Sequence, residues 1–582
     1  MVHQTYTADV LVVGGGTGGT AAAIQAARRG AETILVSEFP WLGGMLTSAG
    51  VSVADGNELE AFQTGLWGAF LQELRQRQPG GLDNSWVSFF SYDPRIGAEI
   101  FADWVQELPN LHWISVQVPL EVFRQGDSIT GVRFTDFSVT AKVILDGTEL
   151  GDLLALANIP YRWGWELQSE WGEPSAPVTF NSLTQRYPVQ VPTYVVIMQD
   201  FGEAVAPEIP VAPNYNPSQF TGAWDGYGAE TFLNYGRLPG GLFMMNWPIC
   251  GNDYGEGVGR LIESDVSRGE FIQESRWHSQ NFAHFIQKQL GRRYGLAEKV
   301  FPHIPTAFAL HPYYRESRRL VGLTTVREQD ILPIAKGRVA SIFNDAIAVG
   351  NYANDHHYPG VQFPLQPKSI RWGGRWTGTP FTIPYSCLIP ATTDGFLVCE
   401  KNISVSHIAN GATRLQPVVM GIGQAAGMAA AICVELNCQP RDLPVRKLQT
   451  ALLEDNRSKA LIIPLFNLPP NHSDWRHWQL YYLDNPQAYP ASGDCPDSAF
   501  DKALIQESNC FTGIFYRLEQ QEYRFTVTAP ATSYQGQSWQ LVTLRSHIDK
   551  QLCAYPHEQL VTLWGRYNHS GNWLLVEHLN GG

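Results

Sequence analysis

The chain has 582 residues, of which 44% are hydrophobic and 16% charged, and its formal net charge is −14. This length and composition predict a globular protein of several domains with a large core and exclude an extensively disordered chain. The acidic balance argues against a nucleic-acid partner, because phosphate binding needs concentrated lysine and arginine.

Signals for a membrane or for redox-active thiols are weak in this sequence. It lacks an apolar run of about 18 residues, so we expect no membrane span. Residues 1–8 do not resemble a signal peptide, which predicts a cytoplasmic protein. The eight cysteines form no C-x-x-C pair, so reduced thiols are favoured over a metal or dithiol site. Assembly into a homo-oligomer is left open.

The first predicted unit is a strand, a glycine turn (GGGTGG at 14–19), an alanine-rich helix and a second strand that ends at Glu38. Gly14 allows the tight turn, Gly16 allows backbone to approach a pyrophosphate, and Gly19 allows close packing of helix on strand. The start of the helix offers unpaired N–H groups to that pyrophosphate. This order of elements predicts an adenine dinucleotide site.

Glu38 and a second glycine pair narrow the choice of dinucleotide. Glu38 follows the glycines by roughly 20 residues, where an acid accepts hydrogen bonds from the adenosine ribose. The same carboxylate would repel a 2′-phosphate, which argues against NADP. The pair Gly43-Gly44 permits backbone to approach a further part of the cofactor. This detour is more typical of FAD proteins than of NAD enzymes.

The middle of the chain, 158–344, is rich in proline, glycine and aromatic residues. We interpret it as an insertion that caps the dinucleotide domain and builds the cavity for a small-molecule substrate. The segment 269–294 looks helical. Arg315 and Arg318 belong to a cluster that either anchors an anionic substrate or balances buried carboxylates.

Two stretches that follow the cap carry aromatic or histidine side chains. The adjacent histidines of NDHH (354–357) lack the spacing of metal ligands, so we expect no metal and interpret them as a polar cavity wall. The run RWGGRWTGTP (371–380) offers tryptophans that either stack on a ring or fix the loop to the core.

A second informative stretch begins at the apolar strand 396–399. A loop containing His407 leads into a helix of small residues, with Pro417 in its first turn. Such a helix can press on the first helix and direct its N-terminus at an anionic group. We predict His407 as the first candidate for acid/base catalysis and His357 as the second, because imidazole titrates in the useful range. The alternative role for His407 is to hydrogen-bond its loop.

The remaining residues, 475–582, contain alternating apolar positions and a hairpin around 570–572. This pattern predicts a small β-rich domain. Contact with substrate or partner, stabilisation and dimerisation are all open roles for it.

Seven motifs occur in one order along the chain: GGGTGG (14–19), WLGGMLTSAG (41–50), LDGTELGDL (145–153), NWPICGND (246–253), YYRESRRLVG (313–322), NDHH (354–357) and ISVSHIANGATRLQPVVMGIGQAAGMAAA (403–431). Together they resemble the FAD-dependent oxidoreductase family of glutathione-reductase-like flavoproteins, which is related to the fumarate reductase and succinate dehydrogenase flavoprotein group. The resemblance covers most of residues 8–435. The last 110 or so residues lie outside it.

The resemblance implies an α/β fold: a Rossmann-like FAD-binding domain, an inserted α+β substrate/cap domain and a small β-rich C-terminal domain. The predicted boundaries are 1–157 and 345–463 for the two parts of the FAD-binding domain, 158–344 for the cap and 471–582 for the C-terminal domain. The predicted FAD-binding residues are Gly14, Gly16, Thr17, Gly18, Gly19, Glu38, Gly43, Gly44, Met45, Val118, Asp146, Gly147, Arg414, Leu415 and Gln416.

The sequence departs from the family pattern at two places. Cys399-Glu400-Lys401 stands where the family more often has Gly-Arg, and Gly147 stands where alanine is usual.

The expected activity is an FAD-dependent oxidation. A hydride would pass from a small or medium organic substrate to flavin N5, while His407, His357, Arg315 and Arg318 serve the substrate. A second nucleotide fingerprint is missing, so oxygen, a quinone or a partner protein would reoxidise the flavin. Two alternatives stand beside this expectation: an NAD-dependent dehydrogenase, and an FAD-binding protein whose flavin is structural or regulatory.

Overall fold

A computed structural model describes residues 4–303, 305–367, 370–372, 375–496 and 509–579. At its centre lies a sheet of four neighbouring parallel strands, in the order Leu111–Ser115, Thr33–Ser37, Gln4–Val13 and Phe137–Asp146. Val13 pairs with Val36 on one side and with Asp146 on the other. These strands therefore end at one edge, where open α/β sheets bind their ligands.

Further strands extend this sheet beyond Phe137–Asp146. Phe396–Val398 pairs in parallel with the end of that strand. The beginning of the strand Phe137–Asp146 pairs in antiparallel with Ser128–Arg133, which forms a hairpin with Glu121–Gln125. The strand Phe396–Val398, far along the chain from the first strand, thus returns to the edge where the first strand ends.

Two helices cover one face of the sheet. The first helix, Thr17–Arg28, packs along the long helix Gln416–Leu436, whose glycines allow close approach. The long helix is also the one described helix that is long and apolar enough to cross a membrane, and 89% of its most apolar window is buried inside the protein. Such burial is what a core helix shows.

The cap contains a four-stranded antiparallel sheet in the order Arg237–Leu238, Leu242–Met245, Val196–Asp200 and Tyr294–Leu296. A helix packs on it over Asp265–Leu290, four residues earlier at each end than the sequence predicts. Ser264 sets this start, because its hydroxyl accepts a hydrogen bond from the Ser267 amide. Buried aromatic rings, among them Trp247 and Phe282, fill the space between sheet and helix.

Shorter strands and helices complete the FAD-binding region and the cap. The other paired strands are Val53–Ala54 with Phe90–Ser91, Tyr161–Arg162 with Arg319–Leu320, Ala346–Tyr352 with Thr379–Pro384, and Ile370–Trp372 with Arg375–Thr377. The other helices are Gly65–Arg77, Pro94–Gln106, Asp152–Leu156, Gln168–Trp171, Ser182–Arg186, Ala229–Tyr235, Glu328–Ile331, His407–Thr413, Val445–Leu453 and Trp475–Asp484. The structure does not describe residues 368, 369, 373 and 374 or the side chains of 370–372 and 375–377. The roles predicted for the tryptophans of the run 371–380 therefore lie outside the described residues.

The C-terminal region is a closed barrel of five strands: Asn509–Glu519, Glu522–Ala529, Ser538–Val542, Gln559–Asn568 and Trp573–Leu579. A helix, Ser546–Ala554, links the third and fourth strands. The parallel-sheet core and the β-rich C-terminal region confirm the predicted fold class, although the sequence pattern did not predict the closure or the helix. The predicted domain boundaries stay a prediction.

Candidate functional site

The glycine turn forms the floor of the site. Gly14 has a φ of +105°, and a Cβ there would overlap the backbone of Gly147. A Cβ on Gly19 would overlap the carbonyl oxygen of Gly14. Two turns from separate strands therefore lie in direct backbone contact, as the roles predicted for these glycines require.

A cavity of about 560 Å³ opens above this floor. It brings together several residues predicted to bind FAD, namely Gly14, Gly16, Glu38, Val118 and Gly147. Glu38 is exposed toward this cavity, whose walls partly desolvate its carboxyl and, with the charge of Asp152, raise the pKa of that carboxyl to about 7. The wall thus places an acid beside a glycine cradle, as an adenosine ribose and its phosphates need.

The pair Gly43-Gly44 packs against the glycine turn at 14–19. The Thr17 hydroxyl donates a hydrogen bond of 2.7 Å to the carbonyl of Gly43. Gly44 has a φ of +52°, and a Cβ there would press on the Cα of Gly16. Met45 follows and is fully buried. The structure therefore brings Thr17, Gly43, Gly44 and Met45, all predicted to bind FAD, together in two packed loops at the start of the first helix.

Two charged residues that the sequence did not predict as functional complete this corner. The amide of Gly18 donates a hydrogen bond of 2.6 Å to Oε2 of Glu400. Lys401 is fully buried and bridges Glu400 (2.8 Å) and Glu149 (2.6 Å). The available signal was the departure at 400–401, a charged pair directly after an apolar strand.

Asp146 supports the turn and is absent from the cavity lining. Its Oδ1 accepts hydrogen bonds from the amide and the hydroxyl of Thr148, at 3.0 and 2.6 Å. Burial raises the pKa of its carboxyl to about 7. The neighbouring backbone of Gly147 is the part that faces the cavity.

The long helix begins at the residues predicted to face the flavin. Leu415 is its N-cap, and Gln416 is its first residue. Arg414 donates a hydrogen bond of 2.5 Å to the Tyr313 hydroxyl and one of 3.0 Å to Asp355. Among the described residues, the buried Nε of Arg414 and Oε1 of Gln416 have no hydrogen-bond partner. Unsatisfied polar atoms at a helix start fit a site for a polar ring edge.

His357 lies between two carboxylates. Its Nδ1 is 2.8 Å from Asp253 and its Nε2 is 2.8 Å from Asp355. Burial and Arg315 act to lower the pKa of His357, but the two carboxylates outweigh them and raise it. Asp355 also contacts Arg414, so this histidine connects to the start of the long helix.

The two predicted substrate-anchoring arginines lie apart. Arg315 is buried and donates to the carbonyl of Val191 (2.7 Å) and the hydroxyl of Thr193 (2.9 Å), and it lies 3.2 Å from Asp253. Arg318 lines the dinucleotide cavity, where it lies 3.0 Å from Asp152. Arg315 supports the His357 partner, whereas Arg318 belongs to the wall of the nucleotide site.

His407 is fully buried at the start of the helix His407–Thr413. Its Nδ1 lies 2.9 Å from Glu316 and its Nε2 lies 2.6 Å from the Tyr358 hydroxyl. The Trp165 ring covers it, with centroids 3.9 Å apart. Burial and the charge of Arg319 hold the pKa of His407 well below its usual range. Its complete burial under Trp165, together with its hydrogen bonds to Glu316 and Tyr358, favours the alternative role of holding the surrounding structure.

The whole arrangement fits the adenosine diphosphate end of FAD: a glycine cradle that a Cβ would fill, a ribose-facing acid and a helix start. Outside the lining of this cavity, Arg414 at the start of the long helix contacts Asp355, which in turn contacts His357. Within the described parts of the chain, no group of three or more histidine, cysteine, aspartate or glutamate side chains is arranged to hold a metal ion.

Comparison with known proteins supports FAD as the cofactor. Residues 9–452 match the family model described as FAD dependent oxidoreductase. No curated protein matches the chain. Among solved structures, the chain is similar to a geranylgeranyl bacteriochlorophyll reductase-like protein from Thermoplasma acidophilum, with 11% identity, 84% of this chain and 89% of that chain covered, and a TM-score of 0.31.

Two other solved structures are similar over smaller parts. One is GidA from Aquifex aeolicus, with 17% identity, coverage of 35% of this chain and 36% of that chain, and a TM-score of 0.21. The other is THI4 from Thermovibrio ammonificans, with 18% identity, coverage of 29% and 70%, and a TM-score of 0.21. The chain thus spans little more than a third of the length of GidA.

Proposed function

The chain belongs to the FAD-dependent oxidoreductase family, and from this premise we propose that it oxidises a small or medium organic substrate by removal of a hydride and a proton. The hydride would come from a carbon that bears a hydroxyl or amine group. Bound FAD supplies the two-electron acceptor. Oxygen, a quinone or a partner protein would reoxidise it.

The observation that carries this proposal is His357 between Asp253 and Asp355. Asp253 orients one ring nitrogen and is itself fixed by Arg315 at 3.2 Å. The other nitrogen faces Asp355, whose side chain is 43% exposed and adjoins Arg414. A histidine held in this way can take the proton that the substrate's O–H or N–H group loses.

His357 therefore replaces His407 as the first candidate for the acid/base role. His407 has both nitrogens within 3 Å of Glu316 and Tyr358 and lies under Trp165. The nitrogens of His357 are engaged as well, but its side chain is 13% exposed whereas that of His407 is fully buried, so a substrate reaches His357 more readily. Cytoplasmic residence and homo-oligomer formation stay predictions from the sequence.

The experiment is anaerobic reduction of the flavin by a panel of amines, amino acids, alcohols and sugars. We expect one class to bleach the flavin, and His357→Gln to slow this reduction at least ~100-fold while FAD stays bound. His407→Gln is the matched control, and we expect it to lower thermal stability more than it lowers the rate.

Three outcomes separate the alternatives. Bleaching that survives in His357→Gln but fails in a folded His407→Gln enzyme would return the acid/base role to His407. Reduction at the wild-type rate in both variants would remove both histidines from the mechanism. A flavin that no substrate class bleaches would favour a structural or regulatory cofactor.

A further inference from the structure

The C-terminal barrel has a specific topology. Its strands close in the order first, second, third, fifth, fourth and back to the first. The third strand, Ser538–Val542, and the fifth, Trp573–Leu579, are the parallel pair, and the helix lies between the third and fourth strands. This is the arrangement of the OB-fold, a barrel that binds oligonucleotides or oligosaccharides. One topology serves many functions, so the ligand is inferred from the residues that line the surface of the barrel.

A cavity of about 480 Å³ lies where the barrel meets the FAD-binding region. Both bodies line it, and specific contacts hold its walls together. Arg545 of the barrel lies 2.8 Å from Glu60, and Asn568 donates a hydrogen bond of 2.6 Å to Asp83. The indole of Trp573 packs edge-on against Phe89 at 5.3 Å. The cavity therefore has a built wall on either side.

The lining carries charges of both signs in near balance. Three guanidinium groups (Arg75, Arg545 and Arg566) and four carboxyl groups (Glu58, Glu60, Asp83 and Glu577) line it. Two of these arginines have a carboxylate partner in the same wall, at 2.8 Å for Arg545–Glu60 and 3.3 Å for Arg566–Glu577. Such a wall selects neither an anion nor a cation. It offers donors and acceptors side by side, as the hydroxyl groups of a neutral sugar require.

A rigid aromatic ring adds a surface suited to the apolar face of a sugar. Tyr567 lines the cavity and is stacked on the buried Trp539 with centroids 4.3 Å apart. Its hydroxyl donates a hydrogen bond of 2.9 Å to Asn572, and His569 meets its ring edge-on at 4.5 Å. Tyr567 and His569 lie at the junction of the fourth and fifth strands, one of the loops through which OB-folds contact ligands.

We propose that this cavity is a binding site for a neutral saccharide, held between the barrel and the FAD-binding region. A nucleic acid is the other ligand of such barrels. The chain's net charge of −14 disfavours its phosphates, and the lining has no excess of arginine over carboxylate to hold them. The proposal does not depend on the substrate of the flavin site.

The test is saturation-transfer NMR and calorimetry on the full-length, FAD-loaded protein. The probes are cellotriose, xylotriose and maltotriose, with trigalacturonate and a short oligothymidylate as charged competitors. We expect saturable binding of at least one neutral trisaccharide. Arg566→Leu and His569→Ala should each weaken it ~10-fold, as loss of a hydrogen-bonded charge or a ring contact does. Arg524→Ala, an exposed arginine of the second strand outside the cavity, is the matched control and should leave binding unchanged.

Several results would overturn the proposal. They are the absence of saturable binding for all three neutral probes, tighter binding of either charged probe, or wild-type affinity in a folded His569→Ala protein. Thermal unfolding of each variant is measured alongside, so that a loss of binding in a protein with the wild-type melting temperature counts as loss of the site. Flavin bleaching is followed in the same samples and is expected to be unchanged.

Discussion

The pKa of His357 is controlled by two carboxylates with different surroundings. Burial acts to raise the pKa of Asp253, but Arg315 and His357 outweigh this and lower it to about 2, so Asp253 stays ionised in any neutral buffer. Asp355 is likewise held below its ordinary pKa. Both negative charges therefore favour protonated His357, and the histidine accepts a proton only above its raised pKa.

Replacing Asp253 by asparagine should move the pH profile of flavin reduction. The base form of His357 is the active one, so the rate rises with pH as the imidazolium loses its proton. Removing one carboxylate lowers that pKa, and the rising limb should shift toward lower pH. Glu274→Gln is the control, because its carboxylate contacts Arg260 and Tyr254 and not His357. A limb that does not move would remove Asp253 from the mechanism.

Glu38 predicts a pH dependence for cofactor binding. Its pKa is raised to about 7, and an ionised carboxylate accepts hydrogen bonds from ribose hydroxyls more strongly than a neutral acid does. The affinity for FAD should therefore increase between about pH 6 and pH 8. Glu38→Gln should weaken FAD binding about tenfold at the upper pH and flatten this dependence.

Fluorescence titration of FAD into the cofactor-free protein measures both effects of this substitution. The exposed Glu32 offers the matched substitution Glu32→Gln, which should bind FAD as the wild type does. An affinity that falls with rising pH would contradict the assignment of Glu38 to the ribose.

The residues of the site differ in how far the sequence could predict them. The glycines and Glu38 belong to one continuous segment, so their spacing determines their meeting. His357 and Asp253 are 104 positions apart and meet only because the cap folds back over the FAD-binding region. The sequence favours His407 because it precedes the helix predicted to face the flavin. Sequence adjacency could not reveal that its ring turns into the core between Glu316 and Trp165.

At the scale of elements, the packing of the first helix on the long helix limits which side chains the contact tolerates. A Cβ on Gly423 would overlap the carbonyl of Gly18, and one on Gly427 would overlap the carbonyl of Ala22. The long helix is also the one that begins at the residues predicted to face the flavin. Close contact between the helices therefore fixes where that start lies.

Gly427→Ala should destabilise the protein by about 1–3 kcal/mol, because neither helix can move without disturbing the sheet beneath. Gly269→Ala is the same substitution inside another helix, where an added Cβ meets no atom within 4 Å. It should stabilise by about 0.5–1 kcal/mol, since alanine loses less chain entropy. Urea unfolding of the cofactor-free proteins compares them. Equal stability of the two variants would show that the contact between the two helices tolerates a Cβ at Gly427.

Elements were predictable where the chain's own periodicity defined them. The first strand–turn–helix unit and the long apolar helix carry such local signals. The barrel shows only alternation, because its closure depends on pairing Asn509–Glu519 with Gln559–Asn568, some 50 residues away. Alternation specifies which face of a strand is buried, but it does not specify the partner strand.

At the scale of the whole molecule, the FAD-binding sheet is the body to which the other two attach. The cap supplies Asp253 to the histidine cluster and Arg268 to the wall of the dinucleotide cavity. The barrel attaches near the helix Gly65–Arg77 and supplies Arg545 and Asn568 to the contact with Glu60 and Asp83. Flavin site and barrel cavity therefore lie on the same central body.

The Arg545–Glu60 pair offers a direct test of how firmly the barrel is attached. Arg545 is only 9% exposed, whereas Glu60 is 35% exposed, so loss of either partner should destabilise by about 1–2 kcal/mol, less than for a fully buried pair. Arg545→Met, Glu60→Gln and the double variant form a double-mutant cycle measured by denaturant unfolding. We expect the double variant to lose less than the sum of the single variants, because each single change leaves one charge without this partner. Additive losses would mean that the two side chains stabilise the junction independently, and that the attachment of the barrel depends on Asn568 and Trp573 instead.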